Sequence, residues 1–144
     1  MITFPQPDKI YIKIQDWHKM ICDINTRSPE EACGLLLGEI NQNYYQATEV
    51  RPTQNVLHSP VRYRMDPKEQ LDTFNYMDKK GLDLVGIYHS HPDGPDTPSD
   101  TDIDEAFYPE AVYLIWSRSS GEWKCRAFLI QDGSITEIQI STHQ

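Results

Sequence analysis

The chain has 144 residues, 38% hydrophobic and 10% aromatic, which is typical of a single folded domain spanning 1–144. Its net charge of −9 disfavours nucleic acid and anionic membranes as partners. No apolar run approaches the ~20 residues of a membrane-spanning helix, and the first ten residues lack the pattern of a signal peptide. The three cysteines have no CxxC spacing, so we expect a cytoplasmic protein without a disulfide scaffold.

The first third of the chain predicts a strand, a helix and a pair of strands. "KIYIKI" alternates apolar and polar residues as a strand does. Asp16 suits the N-cap of a helix whose apolar residues recur at i, i+3, i+4 and i+7 from Trp17. "SPEEACGLLLGEI" then predicts a turn and a strand, with "YYQATEV" as its partner strand.

The rest of the chain mixes helices and strands. Residues 52–64 look irregular, and "MDPKEQLDTFNYMDKKG" predicts a helix capped by Asp66 and ended by Gly81. "LVGIY" is apolar throughout, as in a strand buried on both faces. A second helix is expected from Ser99 to about Tyr108. Three strands follow, "AVYLIWS", "WKCRAFLI" and "SITEIQI", with turns at Ser120-Gly121 and Asp132-Gly133. The prediction is one compact α/β domain with a mainly antiparallel second half.

Residues 89–102, "HSHPDGPDTPSDTD", carry the residue types of a metal site. His89 and His91 are one residue apart at the end of an extended segment, so both imidazoles point to the same side and can reach one ion. Zinc accepts such nitrogen ligands, and a catalytic zinc site usually has three protein ligands and an open position. Asp102 is the natural third ligand, because the proline-rich loop must turn the chain back before the helix.

A purely structural interpretation of the same stretch remains open. Ser99 and Asp102 are spaced as in a capping box, with the serine at the N-cap and the acid in the first turn. Such an acid can face either the backbone amides or a nearby ion. The two interpretations therefore do not exclude each other.

The string His89-Ser90-His91-Pro92, six residues, Ser99, two residues, Asp102 is similar to the signature of the JAMM (JAB1/MPN/Mov34) metalloprotease family. That family also has an upstream glutamate, and "EEACGLLLG" aligns it on Glu31. The likeness extends from the first helix through "WKCRAFLI". It implies an α/β fold: a single MPN-like (cytidine-deaminase-like) domain with a mixed, mainly antiparallel sheet and two to three helices.

The resemblance also implies a role for each signature residue. One Zn²⁺ per chain would be held by His89, His91 and Asp102, with a water molecule as the fourth ligand. Glu31 would act as general base on that water, and Ser99 would donate a hydrogen bond to the developing oxyanion.

Several nearby residues compete for these roles. Glu30 adjoins Glu31, and only one of the two can reach the water if they lie on a strand. The remaining candidates are expected to be structural or solvated, although His58 could approach a substrate groove; they are His18, His58, His143, Cys33, Asp93, Asp96, Asp100 and Asp104.

The family's members hydrolyse amide bonds at the C-terminus of ubiquitin or ubiquitin-like proteins. The short chain resembles the prokaryotic branch, which implies a ubiquitin-like sulfur carrier with a diglycine tail as partner. We expect such a tail to add beside an exposed sheet edge. The alternatives are a non-catalytic MPN-type binding scaffold, since many relatives have lost the ligands, and a zinc hydrolase of a small amide.

Overall fold

A computed structural model describes residues 3–119 and 121–144, and within these ranges it contains three helices and seven strands. The helices are α1 (Ile14–Arg27), α2 (Pro67–Lys80) and α3 (Asp100–Asp104). The strands are β1 (Lys9–Lys13), β2 (Cys33–Ile40), β3 (Tyr44–Thr53), β4 (Asp83–His91), β5 (Val112–Ser119), β6 (Glu122–Gln131) and β7 (Ser134–His143). All the predicted strands are therefore present, and the α/β class is confirmed.

The sheet is mixed and closes on itself in the order β1-β3-β2-β4-β5-β6-β7. The β2–β3, β2–β4, β5–β6 and β6–β7 pairs are antiparallel, whereas β1–β3, β1–β7 and β4–β5 are parallel. Closure depends on β1, which hydrogen-bonds to both β3 and β7. None of the described strands stands at an open edge. The expectation that a diglycine tail adds beside an exposed sheet edge is therefore wrong for this fold.

Helix α1 begins earlier than the sequence predicts. Its N-cap is Lys13, whose side chain makes no capping hydrogen bond, and Asp16 lies buried inside the first turn. The predicted cap at Asp16 is therefore wrong. The reason is tertiary: β1 runs directly into the helix, which buries Met20 and Ile24 against the barrel.

Helix α2 has the ends that its sequence predicts. The Asp66 side chain accepts a hydrogen bond from the Lys68 backbone N–H, and Pro67 occupies the first helical position. Gly81 ends the helix in the left-handed conformation, with φ 68°. Both ends follow from local chemistry, which is why the sequence was sufficient.

Helix α3 is shorter than expected, because it ends at Asp104 and not near Tyr108.

The turn at Asp132-Gly133 is present with both residues at positive φ, while the predicted turn at Ser120-Gly121 includes Ser120, which lies outside the described residues. No helix in the described ranges is both long and apolar enough to cross a membrane.

Two apolar clusters divide the core between the two faces of the sheet. On β4, Val85 and Tyr88 belong to the cluster that contains α1, whereas Ile87 belongs to the cluster that includes residues of α2. His89 and His91 continue the Ile87 face by strand alternation. The histidines therefore emerge where the second cluster ends and the loops around α3 begin.

Candidate metal centre

The last residues of β4 carry two buried imidazoles that converge on one point. His89 and His91 are 1% and 5% exposed, and their Nε2 atoms are 3.0 Å apart. The expectation that strand alternation brings both rings to the same side is met. At this distance one nitrogen can donate a hydrogen bond to the other, or both can face a common ion.

Asp102 completes the convergence from the first turn of α3. Its Oδ2 atom lies 3.2 Å from Nε2 of His89 and 3.1 Å from Nε2 of His91. The same oxygen accepts a hydrogen bond from the Ser99 backbone N–H at 2.9 Å, and the Ser99 hydroxyl accepts one from Asp102 N at 3.0 Å. The capping box and the convergence on the histidines are thus one arrangement.

The spacing of these three atoms fits a tetrahedral zinc ion. Ligand atoms about 2.0–2.1 Å from zinc lie about 3.3–3.4 Å from one another in a tetrahedron. The observed separations are 3.0, 3.1 and 3.2 Å. Two imidazole nitrogens and one carboxylate oxygen are also a ligand set that zinc accepts.

The hydrogen bonds and the burial of the two histidines determine their protonation. Nδ1 of His91 donates to the Pro95 carbonyl at 2.8 Å, so a neutral His91 presents a lone pair at Nε2. Burial lowers the pKa of His89, which favours its neutral form. Burial alone would raise the pKa of Asp102, but its hydrogen bonds to the two histidines outweigh burial and hold that pKa well below the ordinary value. Burial would also lower the pKa of His91, but its hydrogen bonds to Asp102 and the Pro95 carbonyl and the nearby carboxylates of Asp102 and Glu31 raise that pKa overall. An ionised carboxylate and two imidazoles therefore share this space, and a cation bound at the two Nε2 atoms requires both imidazoles to be neutral.

Glu31 lies against the same site, immediately before β2. It is 4% exposed, and its carboxylate and the two imidazoles offer ligand atoms no more than 4.8 Å apart. Burial raises its pKa to about 8, with His91 opposing and Asp102 reinforcing that rise. Glu31 and the two histidines thus form one possible ligand group, which contains Glu31 in place of Asp102. The ligand atoms of the predicted triad, which are those of the two histidines and Asp102, are closer together. The three triad atoms, which lie 3.0–3.2 Å from one another, form the tightest group of possible ligand atoms here, and the Glu31 carboxylate lies beside them.

A cavity of about 240 Å³ opens on this side of the site. Glu31, His91 and Ser99 face it together with parts of two loops, and its lining residues are Glu31, Pro60, Val61, His91, Asp93, Gly94, Pro95 and Ser99. Since Ser99 Oγ accepts the bond from Asp102 N, its hydroxyl hydrogen remains available to a group in the cavity.

The competing carboxylates lie elsewhere. Glu30 is partly exposed and pairs with His58 at 2.9 Å, although neither glutamate lies on a strand as the alternation argument assumed. Asp93, Asp100 and Asp104 are exposed. Asp96 is exposed too, and it pairs with Arg126 at 3.1 Å. These placements agree with the solvated roles expected for the four aspartates.

The other candidates also lie away from the converging atoms. His18 is exposed on α1, and the His58 side chain is 71% exposed. His143 belongs to β7, where it pairs with Lys13 of β1. Cys33 is buried, with Sγ 3.3 Å from the Thr53 hydroxyl, and burial raises the pKa of its thiol to about 12.

Three residues that shape the site had no predicted role. Ser90, between the histidines, accepts a hydrogen bond from Ala32 N at 2.8 Å and donates its own N–H to Ala32 O at 3.0 Å. Tyr63 stacks on His89 with ring centroids 4.6 Å apart. Asn55 donates to the Glu31 carbonyl at 3.1 Å. Only the position of Ser90 inside the motif could have drawn attention to it.

The chain is similar in sequence to a known protein family and to several characterised enzymes. The family described as prokaryotic homologs of the JAB domain matches residues 15–130. A desampylase of Pyrococcus furiosus is 32% identical over 126 residues, covering 88% of this chain and 86% of that protein. A desampylase of Haloferax volcanii is 40% identical over 90 residues, covering 62% and 63%. That match spans less than two thirds of the Haloferax protein.

Two further likenesses concern an enzyme and a solved structure. A CysO-cysteine peptidase of Mycobacterium tuberculosis is 34% identical over 119 residues, covering 82% of this chain and 80% of that protein. The solution structure of a protein from Desulfitobacterium hafniense superposes with a TM-score of 0.84 at 34% identity, covering 94% and 93% of the two chains. The relatives named here are thus peptidases or desampylases, and the fold is one already seen in a solved structure.

Proposed function

The chain belongs to the family of prokaryotic homologs of the JAB domain, and from that membership we propose that it is a zinc-dependent peptidase. Its substrate would be the amide bond at the C-terminus of a ubiquitin-like protein. The observation that carries the proposal is the convergence of His89, His91 and Asp102, whose three ligand atoms lie 3.0–3.2 Å apart beside the buried Glu31.

His89, His91 and Asp102 would hold the ion. Zinc in such a site supplies Lewis-acid polarisation of a carbonyl and lowers the pKa of a water molecule toward about 7. The Pro95 carbonyl and the Ser99 backbone N–H would orient two of the three ligands. A site of this kind needs no covalent nucleophile.

Glu31 would move the proton. Its carboxylate faces the cavity beside His91, where it can accept a proton from the attacking water and pass it to the leaving amine. A pKa raised by burial suits a group that must both accept and release a proton near neutral pH. Nearby positive charge lowers the pKa of a carboxylate, so a bound ion would favour the base form.

Ser99 would stabilise the oxyanion. Its hydroxyl oxygen is engaged as an acceptor by Asp102 N, which orients the remaining hydrogen. A hydrogen bond to the developing negative charge of this kind is worth about 2.7–4 kcal/mol.

The substrate class follows from the relatives. Two are named desampylases and one a CysO-cysteine peptidase, and another is named a probable TtuB-protein conjugate cleaving protease. We propose a ubiquitin-like sulfur-carrier protein, carrying a small adduct or a protein on its C-terminal tail, as the substrate of this chain.

The test is release of the adduct. The zinc-loaded protein is incubated with a ubiquitin-like sulfur carrier whose C-terminal glycine bears either an amino acid or a lysine side chain in amide linkage. Mass spectrometry should show the free carrier, with no release after chelation and recovery on adding zinc.

Two variants separate the assigned roles. Asp102→Asn should lose both zinc and turnover, whereas Glu31→Gln should keep zinc and lose turnover, because only the base is removed. A metal-free, inactive wild-type protein would instead favour the binding scaffold. Loss of zinc in Glu31→Gln would show that Glu31 is a ligand.

A further inference from the structure

Asn55 is a buried polar side chain with no place in the catalytic scheme. It lies two positions after the end of β3, at the start of the segment 55–64 that leads to α2, and it is 4% exposed. A buried amide is stable only when its donors and acceptor are satisfied. The contacts of Asn55 therefore indicate what it holds in place.

The side-chain amide of Asn55 hydrogen-bonds to backbone groups of segment 55–64 and of Glu31. Nδ2 donates to the carbonyls of Glu31 at 3.1 Å and Arg62 at 3.0 Å, with a longer contact to Ser59 at 3.4 Å. Oδ1 accepts from the backbone N–H groups of Leu57 and Arg64, each at 3.1 Å. One side chain thus joins four points of segment 55–64 to the residue proposed as general base.

Two of these contacts bracket Tyr63. The Arg62 carbonyl and the Arg64 N–H lie on either side of it in sequence, and the Tyr63 ring stacks on His89. Fixing the backbone on both sides of Tyr63 limits the directions in which its ring can point. Asn55 thereby supports the proposed ligand His89 as well as Glu31.

The backbone of Glu31 is tied to the same segment a second time. Its N–H donates to the Ser59 carbonyl at 2.8 Å, while its own carbonyl accepts from Asn55. On the other side, Ala32 is bound to Ser90. The Glu31 side chain therefore projects from a peptide segment whose position depends on Asn55 and β4 together.

We propose that Asn55 is a positioning residue, which holds Glu31 and Tyr63 in register with the histidines of β4. The inference rests on the proposed function. An asparagine suits this position because it donates and accepts at one point, whereas an ionised aspartate only accepts and an alanine does neither.

The test compares Asn55→Ala with Ile138→Ala, a core variant in β7 that is 4% exposed and outside the site. Both variants lose native contacts, but only the first releases segment 55–64. At saturating zinc and a temperature where both are folded, we expect Asn55→Ala to lower kcat about 100-fold, with a smaller change in KM, because a displacement of about 1 Å at the chemistry has that effect. Ile138→Ala should keep the wild-type kcat.

A second measurement needs no activity. Trypsin cleaves after arginine, and Arg62 and Arg64 are exposed residues whose backbones Asn55 binds. In the zinc-free protein, cleavage at these two sites, mapped by mass spectrometry, should be at least about tenfold faster in Asn55→Ala than in wild type or Ile138→Ala, since local opening exposes the chain.

The two measurements decide the inference together. Faster cleavage with an unchanged kcat, or a lowered kcat with unchanged cleavage, would overturn the positioning role. An equal loss of kcat in Ile138→Ala would attribute the effect to general destabilisation. If the wild type cleaves no conjugate, the proposed function fails, and cleavage by trypsin alone then shows whether Asn55 holds the segment.

Discussion

At the scale of single residues, one oxygen atom of Asp102 serves two structural purposes. Oδ2 accepts the Ser99 N–H that caps α3 and also faces both imidazoles. A carboxylate in the first turn of a helix is stabilised by the unpaired backbone N–H groups there. The hydrogen bonds with the two histidines, supplemented by the Ser99 N–H, therefore keep Asp102 ionised, which is the state that a metal ligand requires.

Ser99 gives the first residue-scale prediction. Ser99→Ala should retain zinc, lower kcat by about 10²–10³ through loss of the oxyanion donor, and lower the free energy of unfolding by about 1 kcal/mol through loss of the cap. Steady-state kinetics and urea denaturation measure the two effects. Thr101→Ala, on the same helix, is the control for kcat. A loss of stability with an unchanged kcat would leave Ser99 as a cap only.

Glu31 gives a prediction about pH in the zinc-free protein. Its folded pKa of about 8 lies above the ordinary value of 4.5, so the folded chain keeps a proton that the unfolded chain releases between these pH values. Burying this carboxyl therefore lowers stability progressively as the pH rises from about 4.5 to about 8.

Glu31→Gln removes this titration. In the presence of a chelator, it should match wild type near pH 4.5 and exceed it by several kcal/mol at pH 9, since one pKa unit corresponds to about 1.4 kcal/mol. Urea denaturation at both pH values measures the difference. A difference that does not change with pH would contradict the assignment of the raised pKa to Glu31.

At the scale of elements, the glycines of β2 allow close packing of neighbouring strands. A Cβ atom built on Gly38 would lie 1.9 Å from the Gln46 carbonyl oxygen of β3. The backbone of β3 cannot move away without breaking the β2–β3 ladder, which has its register shift at this point.

Gly38→Ala should therefore lower the free energy of unfolding by at least about 2 kcal/mol, as overpacking of a rigid contact does. Gly86→Ala in β4 is the matched control, because its nearest neighbour is a movable Leu114 methyl group at 3.0 Å. Urea denaturation of the two variants tests this, and an equal or larger loss in Gly86→Ala would contradict it.

The helices differ in how far local sequence determines them. Asp66, Pro67 and Gly81 define the ends of α2, and the structure confirms each one. The start of α1 depends on the connection from β1, and α3 stops after five residues although its capping box was recognised. An N-cap is a local interaction, whereas the length of a helix depends on the apolar surface available to cover it.

At the scale of the whole molecule, the barrel does not depend on the metal site for its core. The two apolar clusters are built from residues along the strands and helices, and none of the three proposed ligands belongs to either. The closed sheet hydrogen-bonds these strands together without contributions from the ligand side chains.

Removal of zinc should therefore leave a folded protein. After chelation we expect an unchanged far-UV circular dichroism spectrum and cooperative unfolding, with a lower Tm that rises with added zinc, as for any ligand that binds the folded state. Loss of cooperative unfolding after chelation would contradict this, because it would mean that zinc supports the core. Asp102→Asn is the control, since its Tm should not respond to zinc.

The sequence by itself determined the features of this protein that depend on interactions between residues close in the chain. The spacing of His89, His91, Ser99 and Asp102 placed them together because strand alternation and a helix cap act over a few residues. Family resemblance added Glu31, whose 58-residue separation from His89 no local rule spans.

Only the tertiary structure decided the rest. The β2–β4 register brings Glu31 to the histidines, and β1 closes the sheet by pairing with both β3 and β7. Asn55 acquires its importance from contacts with chain segments on both sides of it. Such contacts depend on which strands become neighbours. The packing of the whole chain decides which distant segments lie side by side, and the sequence near any one residue does not.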